Sequence, residues 1–240
     1  MTRDIVVTGG GTGIGRAIAA AFAAQGDRVV ITGRRKDVLA DAAAGIGARA
    51  VPFDASDPAQ VSAALADLPE RVDVLVNNAG GNTDLGGDPA DGTLAGVAEA
   101  WLANYRANMI SAVLVTTALT DRLARGGTVV NLGSIAAETG AGSYGAAKAA
   151  VAAWNSELAT SLGERGVTCN VIAPGLITDT EFFHGKLSDE RRGVLIGRTA
   201  TGRAGTPDDT AALALFLASP GARHLTGQVF HLNGGAHRTR

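Results

Sequence analysis

The chain has 240 residues, of which 46% are apolar and 18% charged, so it can bury a large core and is not a disordered segment. A formal net charge of −2 gives no electrostatic reason to expect nucleic acid or an anionic membrane as a partner. The single cysteine, Cys169, excludes an internal disulfide and favours a cytoplasmic location. Four scattered histidines without the spacing of zinc ligands argue against a metal site.

Seven short segments rich in valine and isoleucine predict β-strands. The first begins near Arg3, so we expect no signal peptide, and no apolar stretch is long enough to span a membrane. The seven segments are continuously apolar rather than alternating, which is typical of strands that are buried on both faces of a parallel sheet. The segments cover residues 5–8, 28–32, 48–53, 72–77, 128–133, 167–172 and 228–232.

Helical segments alternate with these strands. Residues 16–25 end before Gly26, which fits the position that follows a helix, and Ser56 or Asp57 before Pro58 predicts a helix start. Thr206 and Pro207 repeat that pattern before a helix over 211–217. Two longer, alanine-rich helices are predicted over 101–124 and 144–165. This alternation predicts an α/β fold, a doubly wound parallel sheet in a single domain over residues 1–240.

A glycine-rich segment, TGGGTGIG, follows the first strand at residues 8–15. Its spacing is G-x-x-x-G-x-G, and a helix that begins after such a turn offers free N–H groups and a positive dipole end to a pyrophosphate. A tight turn without a ligand is the alternative. The residues that we expect to contact a dinucleotide are Gly9, Gly11, Thr12, Gly13, Ile14 and Gly15.

The end of the second strand bears on the choice of nicotinamide cofactor. An NAD site usually has a carboxylate there, but this strand ends in Arg34 and Arg35, which can bind a 2′-phosphate. The sequence therefore favours NADP(H) over NAD(H), although both arginines could also be plain surface charges. Asp54, at the end of the third strand, could face the adenine.

A tyrosine and a lysine four residues apart, Tyr144 and Lys148, share one face of a predicted helix. A neighbouring ammonium favours the phenolate, so we expect it to lower the pKa of Tyr144 and allow proton exchange near neutral pH. Ser134 ends the fifth strand at the same edge of the sheet and can donate to a substrate oxygen. No histidine and acid are spaced to activate this serine, which argues against a hydrolase.

Together with Asn77-Asn78-Ala79-Gly80 and Pro174-Gly175, these motifs resemble the short-chain dehydrogenase/reductase family over essentially the whole chain. The resemblance implies a Rossmann fold with a seven-stranded sheet, usually in a homodimer or homotetramer. It implies four catalytic residues, Asn108, Ser134, Tyr144 and Lys148, with the asparagine holding a water in a proton relay. It places Asn77, Ala79 and Gly80 at the adenosine and Pro174, Gly175 and Ile177 at the nicotinamide, with Tyr144 and Lys148 also against the cofactor.

Several positions depart from the family pattern. Ser134 lies ten residues before Tyr144, closer than is usual, which shortens the intervening loop. Ser143 is the poorer candidate for the catalytic serine because it lies off the strand end. A threonine on the phosphate side could be Thr178 or Thr180, and Thr12 replaces a residue that is often basic in NADP-preferring relatives.

The motifs favour an enzyme that moves a hydride between NADP(H) and a small carbonyl or alcohol, similar to a 3-oxoacyl reductase or another ketone reductase. A substrate lid is expected within 181–203, where apolar and cationic residues are mixed, although this segment could equally be a helix packed on the core. The alternative function is a non-catalytic NAD(P)-binding regulator. A sugar-nucleotide epimerase would need a larger substrate domain.

Overall fold

The computed structural model describes residues 2–85 and 92–239, so the predicted domain of residues 1–240 extends beyond the described residues. Seven strands form one sheet, and all neighbouring strands are parallel. The strands are β1 (Asp4–Thr8), β2 (Arg28–Gly33), β3 (Arg49–Pro52), β4 (Val72–Asn77), β5 (Leu123–Leu132), β6 (Thr168–Pro174) and β7 (Val229–Leu232). Their spatial order, β3-β2-β1-β4-β5-β6-β7, confirms the predicted doubly wound sheet of a Rossmann fold.

Helices cover both faces of this sheet. They are α1 (Gly13–Ala24), α2 (Lys36–Ile46), α3 (Pro58–Ala64), α4 (Leu94–Tyr105), α5 (Ser111–Leu119), α6 (Ala136–Thr139), α7 (Gly142–Gly163), α8 (Asp189–Gly197) and α9 (Pro207–Leu217). A π-helical turn, Arg106–Ile110, joins α4 to α5. None of the helices in the described ranges is both long and apolar enough to cross a bilayer.

The core has two layers because successive side chains of a strand point to opposite faces. Ile5 and Val7 of β1 face one layer, where α1, α2 and α9 pack, and Val6 faces the other, where α3, α5 and α7 pack. Phe22 of α1 and Leu119 of α5 are fully buried in these layers. Each such side chain stabilises the fold by about 1.5–3 kcal/mol, so the sheet is a rigid support for its carboxyl edge.

The helix starts and stops that the sequence predicts are present. Gly26 follows α1 with a left-handed φ of +82°, where a side chain would be strained. Of the two candidate caps, Asp57 caps α3 by accepting hydrogen bonds from two backbone N–H groups. Thr206 caps α9 in a reciprocal pair with Asp209, and Pro207 is the first helical residue.

The helix predicted over residues 101–124 is wrong at both ends. It starts earlier, at Leu94, and is interrupted by the π-helical turn. It stops at Leu119. At this point the Thr120 hydroxyl donates to the Thr116 carbonyl over 2.8 Å, and Arg165 donates to the Thr120 carbonyl over 2.6 Å. Leu123, predicted as helical, instead begins β5, which therefore starts five residues before the predicted strand.

Candidate functional site

A cleft of about 1290 Å³ lies along the carboxyl edge of the sheet. It opens where the chain order reverses between β1 and β4, the position at which open α/β sheets bind ligands. The segments that follow β1, β4, β5 and β6 all contribute to its walls. Within residues 2–85 and 92–239, no cluster of three histidine, cysteine or carboxylate side chains could hold a metal ion.

The glycine-rich turn after β1 forms one wall of the cleft. Gly9 and Gly13 have left-handed φ values of +64° and +50°, which favour glycine. A Cβ on Gly15 would lie 2.2 Å from the Gly9 carbonyl oxygen, so only glycine lets α1 pack this close to the turn. Gly13, Ile14 and Gly15 bring the first, intrahelically unpaired N–H groups of α1 to the cleft.

Asn78 fixes this turn against the end of β4. Its Nδ2 donates to the Thr8 and Gly9 carbonyls, each over 3.0 Å. In the opposite direction, Thr8 Oγ1 accepts hydrogen bonds from the backbone N–H groups of Asn78 and Ala79. A glycine turn that leads into a helix N-terminus offers the N–H donors that a dinucleotide diphosphate needs, so the residues present fit such a cofactor.

Most of the residues that the sequence assigns to the cofactor line this cleft. They are Gly9, Thr12, Gly13, Ile14, Gly15, Arg34, Arg35, Asp54, Ala79, Gly80, Tyr144, Lys148, Pro174, Gly175 and Ile177.

Gly11 and Asn77 are not among the lining residues. The Asn77 side chain points into the core, where its Nδ2 donates to Thr116 Oγ1 and Asn131 Oδ1, both over 2.8 Å. Asn78, one residue later, is the asparagine that reaches the cleft.

The opposite end of the cleft holds Ser134, Tyr144 and Lys148. Ser134 follows β5, and the other two lie one turn apart on α7, as the spacing predicts. The Tyr144 hydroxyl is hydrogen bonded to Ser134. Lys148 Nζ donates to the Leu132 carbonyl over 2.7 Å and lies 5.9 Å from the centre of the tyrosine ring. The structure therefore brings the three side chains together.

Burial controls the proton affinities at this end. Desolvation raises the pKa of Tyr144 to about 12, and the hydrogen bond with Ser134 offsets only part of that rise. Desolvation also lowers the pKa of Lys148 to about 8. The sequence predicts that Lys148 lowers the pKa of Tyr144. In the protein without a bound cofactor this prediction is wrong, because burial raises that pKa.

Asn108 lies in the π-helical turn, behind the wall of the cleft rather than in it. Its Oδ1 accepts from the Gly81 N–H over 3.1 Å, and its Nδ2 donates to the Gly81 and Asn104 carbonyls, both over 2.9 Å. A Cβ on Gly80 would lie 2.5 Å from Asn108 Oδ1, so this loop needs glycine to approach the asparagine. Single π-helical turns within α-helices are frequent at functional sites.

A second polar cluster, which the sequence analysis did not find, joins α4 to the start of α7. Asn104 is fully buried, and its Nδ2 donates to Asp84 Oδ1 over 2.9 Å and to Ser143 Oγ over 2.8 Å. Its Oδ1 accepts from the Thr83 N–H over 3.0 Å. Ser143 is therefore occupied by this cluster and does not line the cleft, whereas Ser134 does.

The segment that the sequence predicts as a lid follows β6, and its first residues line the end of the cleft that holds Tyr144. Asp179 has a left-handed φ of +58°, which turns the chain so that Thr180 lines the cleft next to Gly13. Thr178 instead bonds to the Gly205 carbonyl, so Thr180 is the better candidate for the phosphate side. The Phe182 ring centre lies 5.6 Å from that of Tyr144, which makes this end apolar.

The end of the cleft beside β2 and β3 is open to water. Arg34 and Arg35 are exposed there, and Arg35 Nη2 lies 2.6 Å from Oε2 of Glu181, the first lid residue. The Arg35 guanidinium lowers the pKa of the Glu181 carboxyl. Asp54 turns its carboxylate to Ser56, from which it accepts hydrogen bonds over 2.9 and 2.7 Å.

Comparisons with known proteins agree with this geometry. The model of a family described as enoyl-(acyl carrier protein) reductase matches residues 9–237. A putative oxidoreductase of Mycobacterium tuberculosis is 34% identical over 97% of each chain. The 3-oxoacyl-[acyl-carrier-protein] reductase of Escherichia coli is 32% identical over 96% of this chain and 95% of its own. A short-chain dehydrogenase from Burkholderia cenocepacia, solved with NADP, matches at a TM-score of 0.85 and 34% identity over 98% and 97% of the chains.

Proposed function

The chain belongs to the short-chain dehydrogenase/reductase family and is an NAD(P)-dependent oxidoreductase, and from this premise we propose that it interconverts a carbonyl and an alcohol with NADP(H). The regulatory alternative is set aside, because the relatives are named oxidoreductases and reductases. One observation carries the proposal. Ser134, Tyr144 and Lys148 meet at one end of a cleft whose other parts are the glycine turn and an exposed arginine rim, formed by Arg34 and Arg35.

Tyr144 is the proposed proton donor in reduction and acceptor in oxidation. Ser134, already bonded to its hydroxyl, is placed to hold the substrate oxygen beside it. When bound, the nicotinamide supplies or takes the hydride and, in its oxidised form, adds a positive charge. That charge and Lys148 together favour the phenolate, which burial alone disfavours.

Asn108 is the proposed fourth member of this group. Its two amide hydrogens are engaged with the Gly81 and Asn104 carbonyls, while Oδ1 has accepted one bond and has a second lone pair. We therefore assign it a positioning role for the loop at Gly80 and Gly81, and the second lone pair of Oδ1 is the proposed acceptor for the water of the proton relay.

NADP(H) is the proposed cofactor. Arg34 and Arg35 stand at the end of β2 where an NAD site would place an acid, and both line the cleft. The glycine turn and Thr180 would hold the diphosphate, Asp54 would lie near the adenine, and Ile177 near the nicotinamide. The relative from Burkholderia cenocepacia, whose structure contains NADP, supports the same assignment.

The proposed substrate is a small carbonyl compound or alcohol with an apolar chain. Phe182 packs against Tyr144, and Phe183 packs edge-on against Phe182 with ring centres 5.0 Å apart. An apolar wall beside the proton donor suits an acyl chain. The named activity of the Escherichia coli relative makes 3-oxoacyl compounds the first class to try.

A substrate panel tests the proposal. The purified protein would be incubated with NADPH or NADH and with 3-oxoacyl thioesters, aliphatic ketones and aryl ketones, and with the matching alcohols and oxidised cofactors. We expect turnover that is faster with NADPH, followed by its absorbance. Tight NADP(H) binding in calorimetry without turnover of any compound would contradict the proposal.

A homodimer or homotetramer is proposed from the surface of α4. Its exposed apolar residues, at 41–90% accessibility, are Leu94, Val97, Trp101, Leu102 and Tyr105. An apolar patch of this kind is typical of an interface. Sedimentation equilibrium should show an oligomer that Trp101→Glu weakens.

A cytoplasmic location is supported by the buried free thiol of Cys169.

A further inference from the structure

Three segments that are distant in the sequence meet at the arginine rim. Glu181, from the start of the lid, contacts Arg35 at the end of β2, 146 residues earlier, with Oε2 and Nη2 2.6 Å apart. The side chain of Thr12 in the glycine turn lies close enough to this carboxylate to help lower its pKa. All three residues line the cleft. A carboxylate therefore stands at the ribose end of the cleft, although β2 itself does not supply one.

Carboxylates and phosphates bind a guanidinium in the same way, through parallel N–H···O bonds. Arg35 can therefore hold the Glu181 carboxylate or a 2′-phosphate, but a second anion on the same guanidinium is opposed by repulsion between the anions. We propose that Glu181 is a specificity-determining residue that competes with the 2′-phosphate of NADP(H) for Arg35. The inference rests on the proposed function, which assigns that phosphate to Arg34 and Arg35.

The competition is modest because water screens it. The Arg35 and Glu181 side chains are 58% and 59% exposed, and exposed ion pairs of this kind have small net effects. We therefore expect Glu181 to weaken the binding of 2′-phosphorylated ligands by about two- to fivefold, without a comparable effect on unphosphorylated ones.

Displacement of Glu181 from Arg35 would also affect the end of the cleft that holds Tyr144, because the residue after Glu181 packs there. Phe182 follows Glu181 directly and packs on the Tyr144 ring, while Lys186 holds the next lid turn to the Leu85 carbonyl over 2.6 Å. A 2′-phosphate would thus free the first residue of the lid and leave the Lys186 contact in place. NAD(H), which has no such phosphate, would leave both contacts formed.

Calorimetry with two cofactor fragments tests the competition without any turnover. The probes are adenosine 2′,5′-bisphosphate and adenosine 5′-monophosphate, which differ only in the 2′-phosphate. Glu181→Gln should bind the bisphosphate about two- to fivefold more tightly and the monophosphate as tightly as the parent does. Glu190→Gln removes an equivalent exposed charge elsewhere in the lid and should change neither affinity.

An Arg35→Ala background separates this inference from the proposed function. There the bisphosphate should bind more weakly, and Glu181→Gln should add no further effect. If Arg35→Ala weakens the bisphosphate but Glu181→Gln alone changes nothing, the competition is refuted and the NADP(H) assignment stands. If Arg35→Ala leaves the bisphosphate affinity unchanged, the assignment of the 2′-phosphate to Arg35 and the competition are both overturned, and only Arg34 is left as its proposed partner. Weaker monophosphate binding by Glu181→Gln would place Glu181 on the ribose hydroxyls and also refute the competition.

Discussion

The two ends of the cleft obey different electrostatics. At the proposed catalytic end, Tyr144 and Lys148 are 6% and 4% exposed, and burial raises the pKa of Tyr144 to about 12 and lowers that of Lys148 to about 8. At the arginine rim, Arg35 and Glu181 are more than half exposed and their ion pair is screened. The proposed chemistry therefore depends on a few buried groups, whereas the proposed choice of cofactor depends on small charge effects at the surface.

The largest effect is expected from the buried hydroxyl. Tyr144→Phe keeps the ring against Phe182 but removes the proposed proton donor and acceptor, so turnover should fall by at least about a thousandfold. Steady-state kinetics measure the loss, and calorimetry should show cofactor affinity within about twofold of the parent. Turnover within tenfold of the parent would refute the role of Tyr144.

The buried lysine should appear in the pH dependence of stability. Its pKa is about 8 in the folded protein against 10.5 when unburied, so between these values the unfolded chain binds the extra proton. The free energy of unfolding should therefore rise with pH, by about 2 kcal/mol from pH 8 to pH 10 for this group. Urea unfolding of the parent and of Lys148→Met at both pH values gives the difference. An equal rise in the two proteins would show that Lys148 is not the cause.

Asn104 tests how firmly the catalytic end is held. Asn104→Ala leaves the Thr83 N–H and the Ser143 hydroxyl without this partner, which should cost about 1–3 kcal/mol of stability. Because Ser143 precedes Tyr144, turnover should also fall about tenfold.

Asn170→Ala is the matched control for this variant. Asn170 is also fully buried and bonds to the Leu225 carbonyl and the Gln228 N–H, but it does not line the cleft. It should lose similar stability while the folded protein keeps its turnover within about twofold. Equal turnover in the Asn104 and Asn170 variants would contradict a positioning role.

The smallest effect belongs to the rim. Replacing Arg34 and Arg35 by alanine should raise the NADP(H) KM about tenfold and change the NAD(H) KM less than twofold. The difference should shrink as salt is added, because both side chains are exposed. Equal changes for the two cofactors would show that neither arginine contacts the 2′-phosphate.

Local patterns in the sequence predict the parts of the molecule that local physics determines. Apolar runs located all seven strands, the glycine run located the turn after β1, and the four-residue spacing put Tyr144 and Lys148 on one face. The bounds of α2 were not predicted, because Arg35 at its start makes no side-chain cap. Only the left-handed Gly47 at its end offered a local signal.

What the sequence could not predict depends on contacts between distant residues. The bonds from Asn104 to Asp84 and Ser143 join positions 20 and 39 residues apart, and Arg35 meets Glu181 across 146. The rise in the Tyr144 pKa depends on burial, which four-residue spacing does not reveal. Two neighbouring asparagines at the end of β4 point to different places. Asn77 points into the core and Asn78 lines the cleft, and the sequence alone does not tell them apart.

The π-helical turn at Arg106–Ile110 separates α4, which carries the exposed Trp101, from α5. It holds one residue more than an α-helical turn, so deletion of a single residue there should leave a regular α-helix, with α4 and α5 in nearly the same relative orientation. Asn104 would then stay beside Ser143, and Trp101 would keep its outward direction. The deletion would instead remove the widened turn that presents Asn108 to the Gly81 loop, so it would disturb the site without changing the exposed surface of α4.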